Sequence, residues 1–174
     1  MKFIKIILKG LIICQLLSAG IVYSQDTETR RVELVKIIDL ELKEITRLNR
    51  TTNNTKPELL LRMAELLLEK ARLLKDKETK IIINMSAEQR RRTNMKKAFS
   101  ESNKYFIQAQ RACTLIAKKF PRYSGLGDVY YIMAFNYKEF GDEKKAERYF
   151  AVSLKKTKSG TPAYRRSQLA LAET

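Results

Sequence analysis

Apolar residues recur at intervals of three and four along most of this chain, and that spacing predicts helices. Between Arg31 and Arg50, the residues Val32, Val35, Ile38, Leu42, Ile45 and Leu48 form one stripe of an amphipathic helix. Fewer than three heptads are present, which favours packing on the next helix over a coiled-coil seam. The polar run "NRTTNNT" ends that helix, because Thr and Asn compete for backbone hydrogen bonds. Pro57 and Glu58 suit the first turn of a second helix, "PELLLRMAELLLEKARLLKDKE", expected to stop between Lys77 and Lys80. The β-branched run Ile81 to Ile83 reads as a short extended connector. Ser86 with Gln89 three residues on has the form of a capping box, opening a helix expected to run on and stop before Pro121. Further helices are predicted over roughly Asp128 to Phe140, over Glu143 to Lys156 and from Pro162, with Gly141 and Asp142 as a tight turn. Six or seven helices with short links make an all-α fold of antiparallel hairpins.

Composition supports this and narrows the chemistry. Apolar residues make up 44% of the 174, enough to build a core and to exclude a disordered chain. Histidine is absent, so Ser/His/Asp and Cys/His catalytic sets cannot form and the commonest zinc ligand is missing. No phosphate-binding glycine loop or nucleophile elbow occurs. The pairs Glu65 with Glu69 and Asp142 with Glu143 have Arg62, Lys70 and other cations nearby, so ion pairing is expected of them rather than metal binding. The sequence therefore predicts no enzyme, no cofactor, no metal and no small-molecule substrate.

Residues 1–24 read as a signal peptide. Lys2, Lys5 and Lys9 precede the apolar run "GLIICQLLSAGIVY", and "VYS" places small Ser24 at the cut. Cys14 follows Ile13, whereas a lipidated cysteine wants a small residue there. Cleavage after Ser24 is preferred, with an uncleaved anchor second and lipidation at Cys14 third. Export to a bacterial envelope, with the periplasm as destination, follows. Cleavage would leave Cys113 as the one thiol, a small buried apolar residue.

The stretch "YYIMAFNYKEFGDEKKAERYFAVSL" resembles a tetratricopeptide repeat, a helical hairpin of 34 residues whose helices carry W-x2-L-G-x2-Y and A-x3-F spacings. Tyr130, Met133, Ala134 and Tyr137 occupy the first-helix sites, Gly141 the turn, and Ala146, Phe150 and Ser153 the second-helix sites. A degenerate unit lies upstream, with Leu60, Met63, Ala64 and Leu67 answered by Ala109, Cys113, Ile116 and Pro121 across an insertion. The chain thus divides into 1–24, an amphipathic helix and linker over 25–56, and a repeat domain over 57–174. Within that domain the stretched unit covers 57–121, the clean repeat 127–158, and the start of a further unit 162–174. The resemblance implies a short right-handed solenoid that serves as a protein-binding or assembly scaffold of the envelope.

In such a solenoid the residues left after packing line the inner groove. By helical spacing these are Asp128, Tyr131, Phe135 and Lys138, with Arg165 on the next helix, and they are the candidate partner-binding set. Charge adds a second candidate surface. The net charge is +16; without the three lysines of the leading segment, 32 basic residues stand against 19 acidic. Arg90, Arg91, Arg92, Lys96 and Lys97 are the densest patch, with Arg92 and Lys96 expected on one helix face. A solvated helix face is the plainer reading; as a binding face it would suit an anionic membrane surface or an acidic protein. An exported chain is not expected to meet nucleic acid.

Overall fold

The computed structural model describes residues 27–50 and 56–174, all of whose regular structure is helical. Residues 1–24, with the predicted signal peptide and Cys14, lie outside the described residues, as does most of the linker after Arg50. The chain divides into two units, Met1–Asp39 and Leu40–Thr174. Helix α1 covers residues 27–50. In the first unit Ile38 of the predicted stripe is buried, Val35 is half-buried and Val32 stays exposed, so the stripe is only partly covered there. In the second, Ile45 is buried and Leu42 packs on the main core.

The second unit continues with α2 (Pro57–Ile83), α3 (Ala87–Arg92), α4 (Met95–Ala98), α5 (Ser100–Lys119), α6 (Leu126–Glu139), α7 (Glu143–Lys156) and α8 (Pro162–Ala172). Most helix starts are written locally. Pro57 opens α2, and Ser86 and Gln89 form the predicted capping box at α3. The side chains of Asn94, Asp142 and Thr161 accept from the third residue on, at the starts of α4, α7 and α8. The turn after α6 is a Schellman closure. The N–H of Gly141 reaches the Lys138 carbonyl at 3.0 Å, and that of Asp142 reaches Tyr137 at 2.9 Å. Gly141 adopts a φ of 76°, a left-handed conformation that costs glycine nothing. Three residues thus end α6, reverse the chain and start α7.

Two expectations are corrected. Ile81–Ile83 is helical, not extended: Ile82 is buried and holds the last turn of α2 in place. The single helix expected from Ser86 to Phe120 is broken at Thr93–Asn94 and again at Phe99. The second break has a cause outside the segment. Glu78 of α2, nearly buried, takes the backbone N–H groups of Glu101 at 3.1 Å and Ser102 at 3.4 Å, and the Ser102 hydroxyl. A carboxylate from another helix therefore caps α5, which has no side-chain cap of its own.

Packing follows chain order. α2 packs chiefly on α5, α5 also meets α6, α6 packs chiefly on α7, and α7 meets α8. In addition α6 touches both α2 and α8. The main core lies among α2, α5 and α6, where Ala64, Ala71, Phe106, Ala109 and Cys113 are fully or almost fully buried. Small residues let the backbones approach, while Phe106 and Ile116 fill the space between.

Candidate functional site

Most of the residues assigned to repeat packing lie where α6, α7 and α8 converge. Ala134, Ala146 and Phe150 form a second, fully buried cluster, with Tyr131, Phe135, Tyr137 and Tyr149 around it. Ser153 is also fully buried and does more than fill space. Its hydroxyl donates to the Gly127 carbonyl at 2.7 Å and meets the Ser167 hydroxyl at 2.8 Å, so one side chain joins three helices. Gly127 is needed beside it, because a Cβ there would stand 2.0 Å from Thr157 Oγ1. On the outer side, Tyr149 stacks between Tyr130 and Tyr137, with ring centroids at 6.1 and 5.2 Å. Met133 is buried in the main core.

Packing that side of α6 turns Asp128, Tyr131 and Phe135 toward α2 and α8, where two open clefts adjoin. One, of about 360 Å³, is lined by residues that include Glu65, Glu69, Arg72, Asp128, Tyr131 and Arg166. The other, of about 340 Å³, is lined by Arg72, Lys75, Asp76, Thr79, Phe135 and Glu139. Arg72 borders both. Its guanidinium lies 5.2 Å from the Phe135 ring centroid.

Of the predicted groove set, the structure brings Asp128, Tyr131 and Phe135 together and moves two members. Lys138 lines neither cleft; its ammonium donates to the Glu173 carbonyl at 3.3 Å. Arg165 is exposed and outside the clefts, and Arg166 takes its place. Arg166 pairs with Asp128 at 2.7 Å and lies 4.2 Å from the Tyr131 ring centroid. One residue on a helix is a rotation of about 100°, which separates the direction of Arg165 from that of Arg166. That α2 lines both clefts was not foreseen. Its trace was present: Arg62, Glu65, Glu69, Arg72, Asp76 and Thr79 recur at threes and fours, a polar stripe along the helix.

Ion pairs order much of this surface. Arg62 holds Glu41 with two hydrogen bonds, at 2.6 and 3.0 Å, which lower the Glu41 carboxyl below its ordinary pKa and raise the guanidinium. Lys75 pairs with Glu139. Arg72 has no carboxylate within ion-pair distance among the described residues, so a cation with a free hydrogen-bonding edge stands at the junction of the clefts. Burial, with a smaller contribution from Glu65, pushes the Cys113 thiol up to about 12, which leaves it protonated and unreactive.

The basic residues Arg90, Arg91, Arg92, Lys96 and Lys97 are all exposed, away from these clefts. Arg92 pairs with Glu88 at 2.6 Å. Because Thr93 and Asn94 separate α3 from α4, Arg92 and Lys96 do not share a helix face, as the sequence had suggested.

Among the described residues no three His, Cys, Asp or Glu side chains converge as metal ligands, and no helix is long and apolar enough to cross a membrane. Compared with protein-family models, curated proteins and solved structures, the chain matches none of them.

Proposed function

We propose that this chain is a non-enzymatic scaffold of the tetratricopeptide type, exported to a bacterial envelope, which binds a protein partner in the groove between α2, α6 and α8. The observation that carries the reading is the alternation of contacts. Leaving aside α3 and α4, the helices pack in chain order, while α6 also reaches α2 and α8. Stacked hairpins do this when their first helices line one side, as in a solenoid. Read this way, α2 with α5 is the stretched unit, α6 with α7 the clean repeat, and α8 the start of a third; α3 and α4 fall in the insertion.

The groove chemistry suits an extended polypeptide. Tyr131 and Phe135 offer aromatic surface, Arg72 a free guanidinium, and the paired charges around them a polar rim.

The test is a pull-down from envelope extract with the full chain, followed by affinity measurement on the recovered partner. Arg72→Ala with Phe135→Ala is expected to weaken binding by about tenfold or more, the scale of a single interface anchor. Capture of the same partner at unchanged affinity by that double variant removes the groove from the reading. The mass of the cellular protein tests export, since cleavage after Ser24 predicts a chain beginning at Gln25.

A further inference from the structure

Away from the groove, the end of α2 and the two short helices after it form a surface that packing does not explain. Ile81 is 53% exposed, Ile83 64% and Met95 47%, although Ile82 between the first two is buried. Ile81 and Met85 border a shallow cleft of about 320 Å³, closed on the far side by Asn94, Lys97 and Ala98. Around it stand Lys80, Arg90, Arg91, Arg92, Lys96 and Lys97, all exposed. From Lys80 to Lys97 there are six basic residues and one acidic, Glu88, whose charge Arg92 meets. The backbone that carries these cations is held by the Ser86 capping box and the Asn94 cap.

We propose that this tip docks on an anionic lipid surface, with Ile81, Ile83 and Met95 entering the boundary between headgroups and acyl chains and the flanking cations taking lipid phosphates. Bulky aliphatic side chains amid unneutralised Lys and Arg are the combination such a boundary rewards, because it offers apolar depth and negative charge within a few ångströms. Two other polyanions fit less well. Single-stranded nucleic acid wants aromatic rings to stack on, and none occurs between Ser86 and Ala98. An acidic protein would match the charge but leave three scattered aliphatics without a shaped pocket to fill. The inference uses none of the groove residues, so it stands or falls separately from the scaffold reading.

The experiment is co-sedimentation of the full chain with phosphatidylcholine vesicles, with and without phosphatidylglycerol, at low and high salt. Two variants are compared with wild type: Ile81→Ser/Ile83→Ser/Met95→Ser, and Arg90→Gln/Arg91→Gln/Lys96→Gln/Lys97→Gln. Residues 1–26 are identical in all three, so a difference in partition among them is assigned to the changed side chains. All the changed side chains are exposed, and a circular-dichroism melt checks that each variant folds. On anionic vesicles the charge variant is expected to lose on the order of a thousandfold in partition coefficient at low salt, with the loss shrinking at high salt. The aliphatic variant is expected to lose roughly tenfold at both salts.

A second measurement reports on the place itself. An environment-sensitive dye on Met95→Cys, in a Cys14→Ser background where buried Cys113 stays unlabelled, is expected to shift to the blue on anionic vesicles. Wild-type partition by both variants, or an unshifted dye on vesicles that do bind the chain, overturns the proposal. So does a chain that ignores anionic vesicles but binds polyglutamate, which would assign the patch to an acidic protein.

Discussion

Replacing Glu78 by alanine tests the claim that a carboxylate from α2 starts α5. The wild-type group is nearly buried and accepts from two backbone N–H groups and one hydroxyl. The 3.1 Å bond from Glu101 is the better of the two backbone bonds, and losing a hydrogen bond to a charged acceptor costs about 1.5–3 kcal/mol. The 3.4 Å bond from Ser102 is long and adds little. The Ser102 hydroxyl has the Phe99 carbonyl at 3.3 Å to fall back on, so its loss is partly made good. Together with the smaller losses at Ser102, Glu78→Ala is expected to destabilise the chain by about 3 kcal/mol. For a protein of this size that lowers the melting temperature by roughly 6–12 °C. Glu78→Gln keeps one acceptor oxygen and the shape, and is expected to cost about 1–1.5 kcal/mol.

Urea unfolding followed by circular dichroism gives both numbers, provided the slope stays constant across the variants. Hydrogen exchange localises the effect: the Glu101 and Ser102 amides should lose protection ahead of those in α6 and α7. A cost below about 1 kcal/mol for Glu78→Ala, with Glu78→Gln indistinguishable from wild type, would show that α5 starts where it does without this carboxylate.

Gly141→Ala is expected to cost about 1–2 kcal/mol in the same assay. No atom would touch the added Cβ, so the whole effect is the left-handed φ. Cys113 should resist thiol reagents in the folded Cys14→Ser chain and react fully on unfolding. Its ordinary pKa is 9.0 and burial raises it to about 12, so the unfolded chain releases this proton first as pH rises. Its contribution is therefore intact below pH 9 and is lost between about 9 and 12. Relative to Cys113→Ala, stability should fall by roughly 1.4 kcal/mol per pH unit in that window, read from unfolding midpoints.

Helix positions were legible in the sequence wherever a cap, a proline or a glycine turn stood beside an apolar period. The capping box at Ser86, the turn at Gly141 and the start at Pro162 are all local signals, and each falls at a helix boundary. The misreadings have non-local causes. Ile81–Ile83 has β-branched propensity that burial of Ile82 overrides. The break before Ser100 depends on Glu78, more than twenty residues upstream, and no periodicity within α5 announces it. The candidate groove was half legible for a related reason. Periodicity on α6 selected Asp128, Tyr131 and Phe135, but the opposite wall belongs to α2, whose polar stripe has meaning only once α6 is known to lie beside it. On α8 the phase of a short helix was free by one residue until Ser167 was seen to be the buried one.

That last observation ties packing to the proposed binding surface. Gly127 and Asp128 are neighbours in sequence, and so are Arg166 and Ser167. The buried pair, Gly127 and Ser167, meets through the Ser153 hydroxyl, while the outward pair, Asp128 and Arg166, forms an ion pair on the groove wall. The small residues behind therefore set the spacing of the charged residues in front. Gly127→Ala puts a Cβ 2.0 Å from Thr157 Oγ1 and 3.1 Å from its Cβ, so α6 and α7 must move apart. Overpacking of this kind costs about 1–3 kcal/mol. It should also pull Asp128 from Arg166, whose guanidinium covers Tyr131. If the groove binds the partner, Gly127→Ala weakens it without touching it, and Ser153→Ala, which removes the hydroxyl between Gly127 and Ser167 but adds no atom, weakens it less. Equal affinity for all three chains, measured under conditions where each is folded, would separate the packing point from the binding surface.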